Sequence, residues 1–175
     1  MQVTVVGSGA TGARAARALR RLLPTAQLAI VDRHRAKAER VAEQLGAGVQ
    51  VRAALADGPP PDAVVLCVPA GLHEALAIEA LHADAHVVSV TDSIPDVNAL
   101  FNLAPEAERR DRSLVIGAGF SPGLSCPRVT SMRQVVTATV GAAAACFMGK
   151  PSGTATRLRA GSTTNSAKLP RTCSP

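Results

Sequence analysis

Aromatic side chains are almost absent from this 175-residue chain, which has no tryptophan, no tyrosine and three phenylalanines. A packed core must therefore be built from Ala, Val and Leu, and 47% hydrophobic residues are enough to build one. Because a domain takes roughly 100–200 residues, we expect one domain, or one domain with a fragment of another. A complete two-domain enzyme is not expected within this length.

Long apolar runs and C-x-x-C pairs are also missing. The longest charge-free run rich in apolar residues, 134–149, is shorter than the roughly 20 residues of a membrane span, so no span is predicted. Isolated cysteines, and no basic-then-apolar leader before the first apolar run, predict a reduced, cytoplasmic protein. His34, His82 and His86 lack the spacing and neighbours of metal ligands, so no metal is predicted.

Acidic residues are missing from 112–175, which carry eight basic side chains. These charges are scattered among small residues, with one phenylalanine, Phe147, beyond residue 120, so nucleic-acid binding is not predicted. No strand–helix alternation continues after about Pro127. The chain has 16 Arg against 3 Lys, typical of a G+C-rich gene in which a shifted frame stays open. We interpret 127–175 as a truncated or frame-shifted remnant, irregular or disordered.

The start of the chain predicts a strand, a glycine-rich turn and a helix. A β-branched run at 3–6 precedes Gly-Ser-Gly-Ala-Thr-Gly and then apolar residues at helical spacing. In such a turn Gly7 permits the tight bend, Gly9 lets backbone N–H groups approach a pyrophosphate, and Gly12 lets the helix pack close to the strand. The helix N-terminus adds partial positive charge. The predicted phosphate-binding residues are Gly7, Ser8, Gly9, Ala10, Thr11 and Gly12.

A carboxylate occurs where a ribose-binding group is expected. Asp32 follows the predicted second strand, 27–31, and lies 20 residues beyond Gly12. Accepting hydrogen bonds from a ribose 2′-hydroxyl would favour NAD, because a 2′-phosphate would meet a like charge. Arg33 and Arg35 are alternative receivers of that phosphate, so NAD and NADP both stay open. Another interpretation makes Asp32 the cap of the following helix.

Strands and helices continue to alternate over the first 126 residues. The loop at 53–62 is too short and proline-rich for a full crossover helix, with room for one helical turn. Ser93 is predicted to cap a later helix, with Asp96 three residues on and Pro105 bending or ending that helix. Six strands of this kind imply a doubly wound parallel α/β Rossmann sheet of order 3-2-1-4-5-6, with the cofactor over the strand C-termini. The later strands are predicted at 49–52, 63–68, 86–90 and 114–116.

Five short motifs carry a family resemblance that covers about residues 1–126. On them the chain resembles the saccharopine dehydrogenase-like family of NAD(P)-dependent oxidoreductases. The resemblance implies hydride transfer between nicotinamide and an amino-acid-derived imine or carbonyl, and it ends where that family's substrate domain is expected, after Ser125. The motifs are the glycine turn at 5–12, Val31-Asp32-Arg33, the segments 68–73 and 87–92, and 117–125 with its Pro122-Gly123 turn.

The same resemblance implies a place for the rest of the cofactor. The pyrophosphate would lie on the glycine turn, the adenosine ribose at Asp32 and Arg33, and the inner wall of the cleft at 119–123. The nicotinamide side would be formed by Val68, Pro69, Ser89, Thr91 and Asp92, with Gly119 beginning the inner wall.

Catalytic groups are harder to find, since no acid–base pair or triad occurs. His73, at the start of a helix near the expected nicotinamide, is a candidate proton donor, although a partly exposed helix-start histidine is the simpler interpretation. Cys67 is interpreted as a core thiol, and Lys37 is predicted on the outer face of a helix. Three functions stay open: the cofactor half of an oxidoreductase, an NAD-sensing regulatory module, and a non-functional truncated product.

Overall fold

A computed structural model describes residues 1–119, and the predicted Rossmann sheet is present there. All strand pairs are parallel, and the order is β3-β2-β1-β4-β5-β6, as predicted. The predictions for 120–175, including the remnant after 127 and the Pro122-Gly123 turn, lie outside the described residues. The elements are β1 (Gln2–Val6), α1 (Ala10–Leu22), β2 (Gln27–Val31), α2 (Arg35–Leu45), β3 (Val49–Arg52), β4 (Ala63–Leu66), α3 (His73–His82), β5 (His86–Ser89), α4 (Ile94–Asn102), α5 (Ala104–Arg109) and β6 (Leu114–Val115).

The central strands are apolar on both faces because helices cover both sides of the sheet. Every residue of β1 and of β4 is buried. On one face, Val65 packs with Leu19 of α1. On the other, Leu66 packs with Leu81 of α3 and Leu100 of α4. Aliphatic side chains therefore build the core, as the shortage of aromatic residues predicts. None of the helices within residues 1–119 is both long and apolar enough to cross a membrane.

The strands end earlier than the apolar runs predict. The predicted 63–68 strand stops at Leu66, which pairs with Val6 on one side and Ser89 on the other. Beyond that register, Gly7 with φ +98° turns the first strand away, and Cys67 N–H makes a last bond to Val6 O at 2.8 Å. Pairing partners, rather than hydrophobicity, therefore set the strand ends.

Two connections refine the sequence interpretation. Pro105 lies in the first turn of a separate helix, α5, where its missing N–H leaves no bond unmade. The connection 53–62 is a loop held by turns, as where Ala54 N–H donates to Asp57 Oδ2 at 2.8 Å, and no helix is assigned to it. Buried Leu55 anchors this loop to the core.

Candidate functional site

A cleft of about 610 Å³ opens at the carboxyl ends of β1, β2 and β4. The strand order reverses between β1 and β4, and ligands of open α/β sheets bind at such a switch point. The cleft therefore lies where the sequence places the cofactor. Of the predicted site residues, it is lined by Gly7, Gly9, Asp32, Arg33, Val68 and Pro69.

The glycine turn is shaped by close packing at two of its three glycines. A Cβ on Gly12 would lie 1.8 Å from Gly7 O, and one on Gly7 would lie 2.2 Å from Cys67 O. Gly9 differs, since a Cβ there would meet nothing within 4 Å. Gly7 and Gly12 thus have the steric roles predicted for them, and Gly9 leaves open space in front of the backbone.

That open space faces the start of α1. The helix begins at Ala10, with Gly9 as its N-cap, and its first turn has no acidic residue. The first N–H groups of any helix have no partner inside it, which at this position includes those of Ala10, Thr11 and Gly12. Together with the helix dipole they make a site for an anion such as a pyrophosphate. The residues present therefore fit a dinucleotide.

Asp32 links the glycine turn to the cleft wall. Its Oδ2 accepts hydrogen bonds from Ser8 N–H at 2.7 Å and Ser8 Oγ at 2.5 Å, and its Oδ1 accepts one from His34 N–H at 2.8 Å. Partial burial acts to raise the pKa of Asp32, but the bonds from Ser8 and His34 outweigh it and hold the pKa below its ordinary value. A carboxylate is therefore present in the cleft at neutral pH. The N-cap of α2 is His34, so Asp32 is not itself the cap of that helix.

Two cationic side chains line the cleft on the Asp32 side. They are Arg33 and Lys37, and His34 lines the cleft between them. Lys37 is exposed, as predicted for the outer face of its helix, and from the first turn of α2 it also lines the cleft. Arg35, the other predicted phosphate receiver, pairs instead with Glu39 at 2.7 Å and does not line the cleft.

A second groove of about 450 Å³ runs between α1 and α2. Ser8 and Ala10 line it, together with the cationic side chains of Arg17, Lys37 and Arg40. These two predicted phosphate-binding residues therefore face the outer side of the turn, and Gly9 lines both the groove and the cleft.

The predicted nicotinamide side contains more buried groups. Ser89 and Thr91 are buried, whereas Asp92 is exposed. Gly119 lies against the residue that follows β5, since a Cβ on it would be 2.2 Å from Val90 O. None of these four residues lines the cleft within the described part of the chain.

His73 is not the exposed histidine that the sequence predicts. It is 1% exposed, and Nε2–H donates to Val68 O at 2.9 Å. Nδ1 then accepts a hydrogen bond from Ser89 Oγ at 2.9 Å. Both ring nitrogens are therefore used inside the protein, and His73 positions β4 and β5 relative to each other instead of facing a substrate as a proton donor.

Asp96 has hydrogen-bond partners that sequence reasoning did not predict. Ser93 is the N-cap of α4 and Asp96 lies in the first turn, as predicted, but Ser93 makes no side-chain cap bond and Asp96 is 5% exposed. Its carboxylate accepts the Gly71 N–H at 3.0 and 2.9 Å and the Thr91 hydroxyl at 3.1 Å. Gly71 lies 25 residues from Asp96, in the loop after β4, so local spacing carries no signal for this partner, whereas Thr91 lies in the loop directly before α4.

Cys67 is half-buried on the cleft floor, and burial raises the pKa of its thiol to about 12. A nucleophilic cysteine needs a lowered pKa, so the core-thiol interpretation holds. Among residues 1–119 no three His, Cys, Asp or Glu side chains are placed to hold a metal ion.

Comparison with known proteins gives one family. The model of the Gfo/Idh/MocA oxidoreductases, described as an oxidoreductase family with an NAD-binding Rossmann fold, matches residues 1–117 of the 175. No curated protein is a significant match.

Solved structures agree with this family in fold. A UDP-N-acetylglucosamine 3-dehydrogenase from Acidithiobacillus ferrooxidans is 25% identical with a TM-score of 0.59, over 67% of this chain and 37% of that one. A 3-ketoreductase from Actinomadura kijaniata in complex with NADP is 30% identical with a TM-score of 0.55, over 65% and 37%. The GenD2 protein of gentamicin A biosynthesis, in complex with NAD, is 24% identical with a TM-score of 0.62, over 77% and 40%, and indicates the fold alone. The chain thus spans well under half the length of these relatives.

These matches support only the coarser part of the saccharopine dehydrogenase-like resemblance. The coarse class, an NAD(P)-binding Rossmann oxidoreductase, agrees with the family match. The specific saccharopine-like assignment gains no support. Its physical basis was narrow, because the glycine turn and the acidic residue after β2 belong to dinucleotide-binding Rossmann folds in general.

Proposed function

Because the chain belongs to the Gfo/Idh/MocA family of NAD-binding Rossmann oxidoreductases, we propose that it is the cofactor-binding part of an NAD(P)-dependent dehydrogenase or reductase whose substrate is a sugar or nucleotide sugar. The observation that carries the proposal is the cleft, in which an open glycine turn and an ionised Asp32 lie side by side at the switch point of the sheet. Since the chain spans a minority of its relatives' length, the whole reaction is a proposal.

The residues present suit each part of the cofactor. The first turn of α1, with Gly9 before it, faces the pyrophosphate, and Asp32 accepts from a ribose hydroxyl. When bound, the nicotinamide supplies hydride chemistry, in which a substrate alcohol loses a hydride and a proton to become a carbonyl, or the reverse. His73 is not available as the base that takes this proton, since both of its ring nitrogens are bonded inside the protein.

The substrate class is inferred from what the relatives are named for. One is a UDP-N-acetylglucosamine 3-dehydrogenase and another a 3-ketoreductase. The hydroxyl or keto carbon of a nucleotide sugar is therefore the substrate we favour. The amino-acid-derived substrate implied by the saccharopine resemblance has no support from these relatives.

Calorimetric titration of the full chain with NAD⁺, NADH, NADP⁺ and NADPH tests the proposal. We expect a Kd between about 1 μM and 1 mM for at least one of them. Gly9→Val should abolish the binding by filling the open space before α1, whereas Thr25→Val, exposed at the opposite end of β2, should leave it unchanged.

No heat and no thermal shift with any dinucleotide would contradict the proposal. Binding by itself would also be expected of an NAD-sensing module. Reduction of bound NAD⁺ on addition of UDP-N-acetylglucosamine, followed at the absorbance of NADH, would favour the enzyme over that module.

A further inference from the structure

A buried carboxylate ties together the loops that follow β4 and β5. Asp96, at the start of α4, accepts the Gly71 N–H of the first loop and the Thr91 hydroxyl of the second. Thr91 Oγ1 also accepts from Ser93 N–H at 3.3 Å. We call Gly71, Thr91 and Asp96 the clasp. It joins three elements through side-chain and backbone polar groups.

A second set of bonds continues from the clasp. Thr91 N–H donates to Ser89 Oγ at 3.3 Å, and Ser89 Oγ donates to Nδ1 of buried His73. His73 Nε2–H in turn reaches Val68 O. The loop between Val68 and His73 is therefore held at both ends by the histidine and in its middle by Asp96.

The middle of that loop has little else to hold it. Residues 69–72 are all exposed, and Leu72 is 48% exposed. Gly71 has φ +87°, and a Cβ on it would meet nothing within 4 Å. The loop nevertheless forms part of the cleft, which Pro69 and Leu72 line. Its position there depends on the polar clasp, since apolar packing is nearly absent.

Resting on the proposed function, we propose that Asp96 is a positioning residue that holds the 69–72 loop against the nicotinamide half of the dinucleotide. The two halves of a Rossmann sheet each take one mononucleotide, and the glycine turn and Asp32 occupy the first. β4 and β5, whose loops the clasp joins, belong to the second. Asp96 itself lines no part of the cleft, so it acts through Gly71.

Two ligands separate the halves in an experiment. ADP-ribose carries the adenosine and pyrophosphate but no nicotinamide, whereas NADH carries both. Asp96→Asn replaces one accepting oxygen with an N–H₂ group that cannot accept the Gly71 N–H. We expect the variant to lose about tenfold in affinity for NADH while ADP-ribose binding is unchanged, measured by calorimetry well below the melting temperature. Glu108→Gln, the same exchange at an exposed position on α5, is the matched control.

Thr91→Val provides a second variant of nearly the same shape, which removes the hydroxyl alone and is expected to act in the same direction. If Asp96→Asn does not fold, Thr91→Val by itself tests the positioning role. Loss of NADH affinity with ADP-ribose binding retained supports the positioning role. An equal loss of affinity for both ligands overturns the positioning role in favour of a purely structural one. So does a lower melting temperature with no loss of affinity for either ligand. If wild-type protein binds neither ligand, the proposed function fails and the inference with it.

Discussion

The polar groups in the two halves of the sheet have different surroundings. In the first half, β1 to β3, polar groups that follow the strands face the cleft: the carboxylate of Asp32 stays ionised and the start of α1 is open in front of Gly9. In the second half, β4 to β6, buried His73 and Ser89 are bonded to each other, and buried Asp96 is bonded to Gly71 and Thr91. The first half therefore presents polar groups to the cleft, whereas the second half uses them to hold its own loops.

This difference bears on which part of the chain binds the cofactor and which part would take part in a reaction. Among residues 1–119, those that line the cleft lie between Val6 and Glu79. On the predicted nicotinamide side, Ser89 is bonded to His73 and Thr91 to Asp96, so these groups hold loops in place. We therefore expect binding of the adenosine and pyrophosphate to depend on the first half, and the position of the nicotinamide to depend on the second.

The largest expected effect concerns Cys67, which lies where the two halves meet. At pH 8 a thiol with a pKa near 12 has about a thousandfold less thiolate than an ordinary cysteine, so alkylation of Cys67 by iodoacetamide should be slower by that factor. Peptide mapping by mass spectrometry over time measures the rate, with the urea-unfolded chain as control. Rapid labelling of folded protein at Cys67 would show that the second half is more open than described.

A pair of glycine variants sharpens the difference between packing and binding in the turn. Gly12→Ala puts a Cβ 1.8 Å from Gly7 O and should destabilise the fold by about 3 kcal/mol. Gly9→Ala meets nothing within 4 Å and has an ordinary φ of −66°, so its stability should be unchanged or slightly higher. Urea unfolding of both variants measures this, and equal losses of stability would contradict the steric account.

Asp32→Ala tests whether the first half selects the cofactor. Losing a charged acceptor should weaken NADH binding about 10–100-fold, while NADPH should lose less because the like charge is gone. Arg33 and Lys37 remain at the cleft mouth to meet a 2′-phosphate. The ratio of the two Kd values from calorimetry is the measurement, and a ratio that does not move toward NADPH argues against the role of Asp32. Glu43→Gln, exposed on α2 and lining neither the cleft nor the groove, serves as the control.

The smallest effect is expected from the end of the chain. Limited proteolysis should trim the protein to a point between about residues 126 and 150, and the Kd for NADH should stay within about twofold because the cleft is lined by residues before 80. Mass spectrometry of the product and titration of the trimmed protein provide the two readings. A protease-resistant full-length chain with a second cooperative transition would show that 127–175 form a domain, contrary to our interpretation.

The sheet order and the glycine turn follow from local sequence, because apolar runs, glycines and a carboxylate after β2 are each short-range signals. The end of β4 does not follow from local sequence, because it is set by the pairing of Leu66 with Val6 and Ser89, which lie far away in sequence. The role of Asp96 is not evident from local sequence either. Its spacing from Ser93 is that of a capping box, whereas its hydrogen-bond partners are Gly71 and Thr91. The burial of His73 likewise depends on contacts across β4 and β5, and no periodicity encodes them.

The bonds of Asp32 also set how many ribose hydroxyls it can hold. A carboxylate offers about four lone pairs, and donors from Ser8 and His34 occupy three of them among residues 1–119. One hydroxyl can therefore donate to Oδ1 with nothing else moving. A second ribose hydroxyl can donate to Oδ2 only if the Ser8 hydroxyl turns away from that oxygen. The orientation of the Ser8 side chain therefore decides whether Asp32 binds one or two hydroxyls of the sugar.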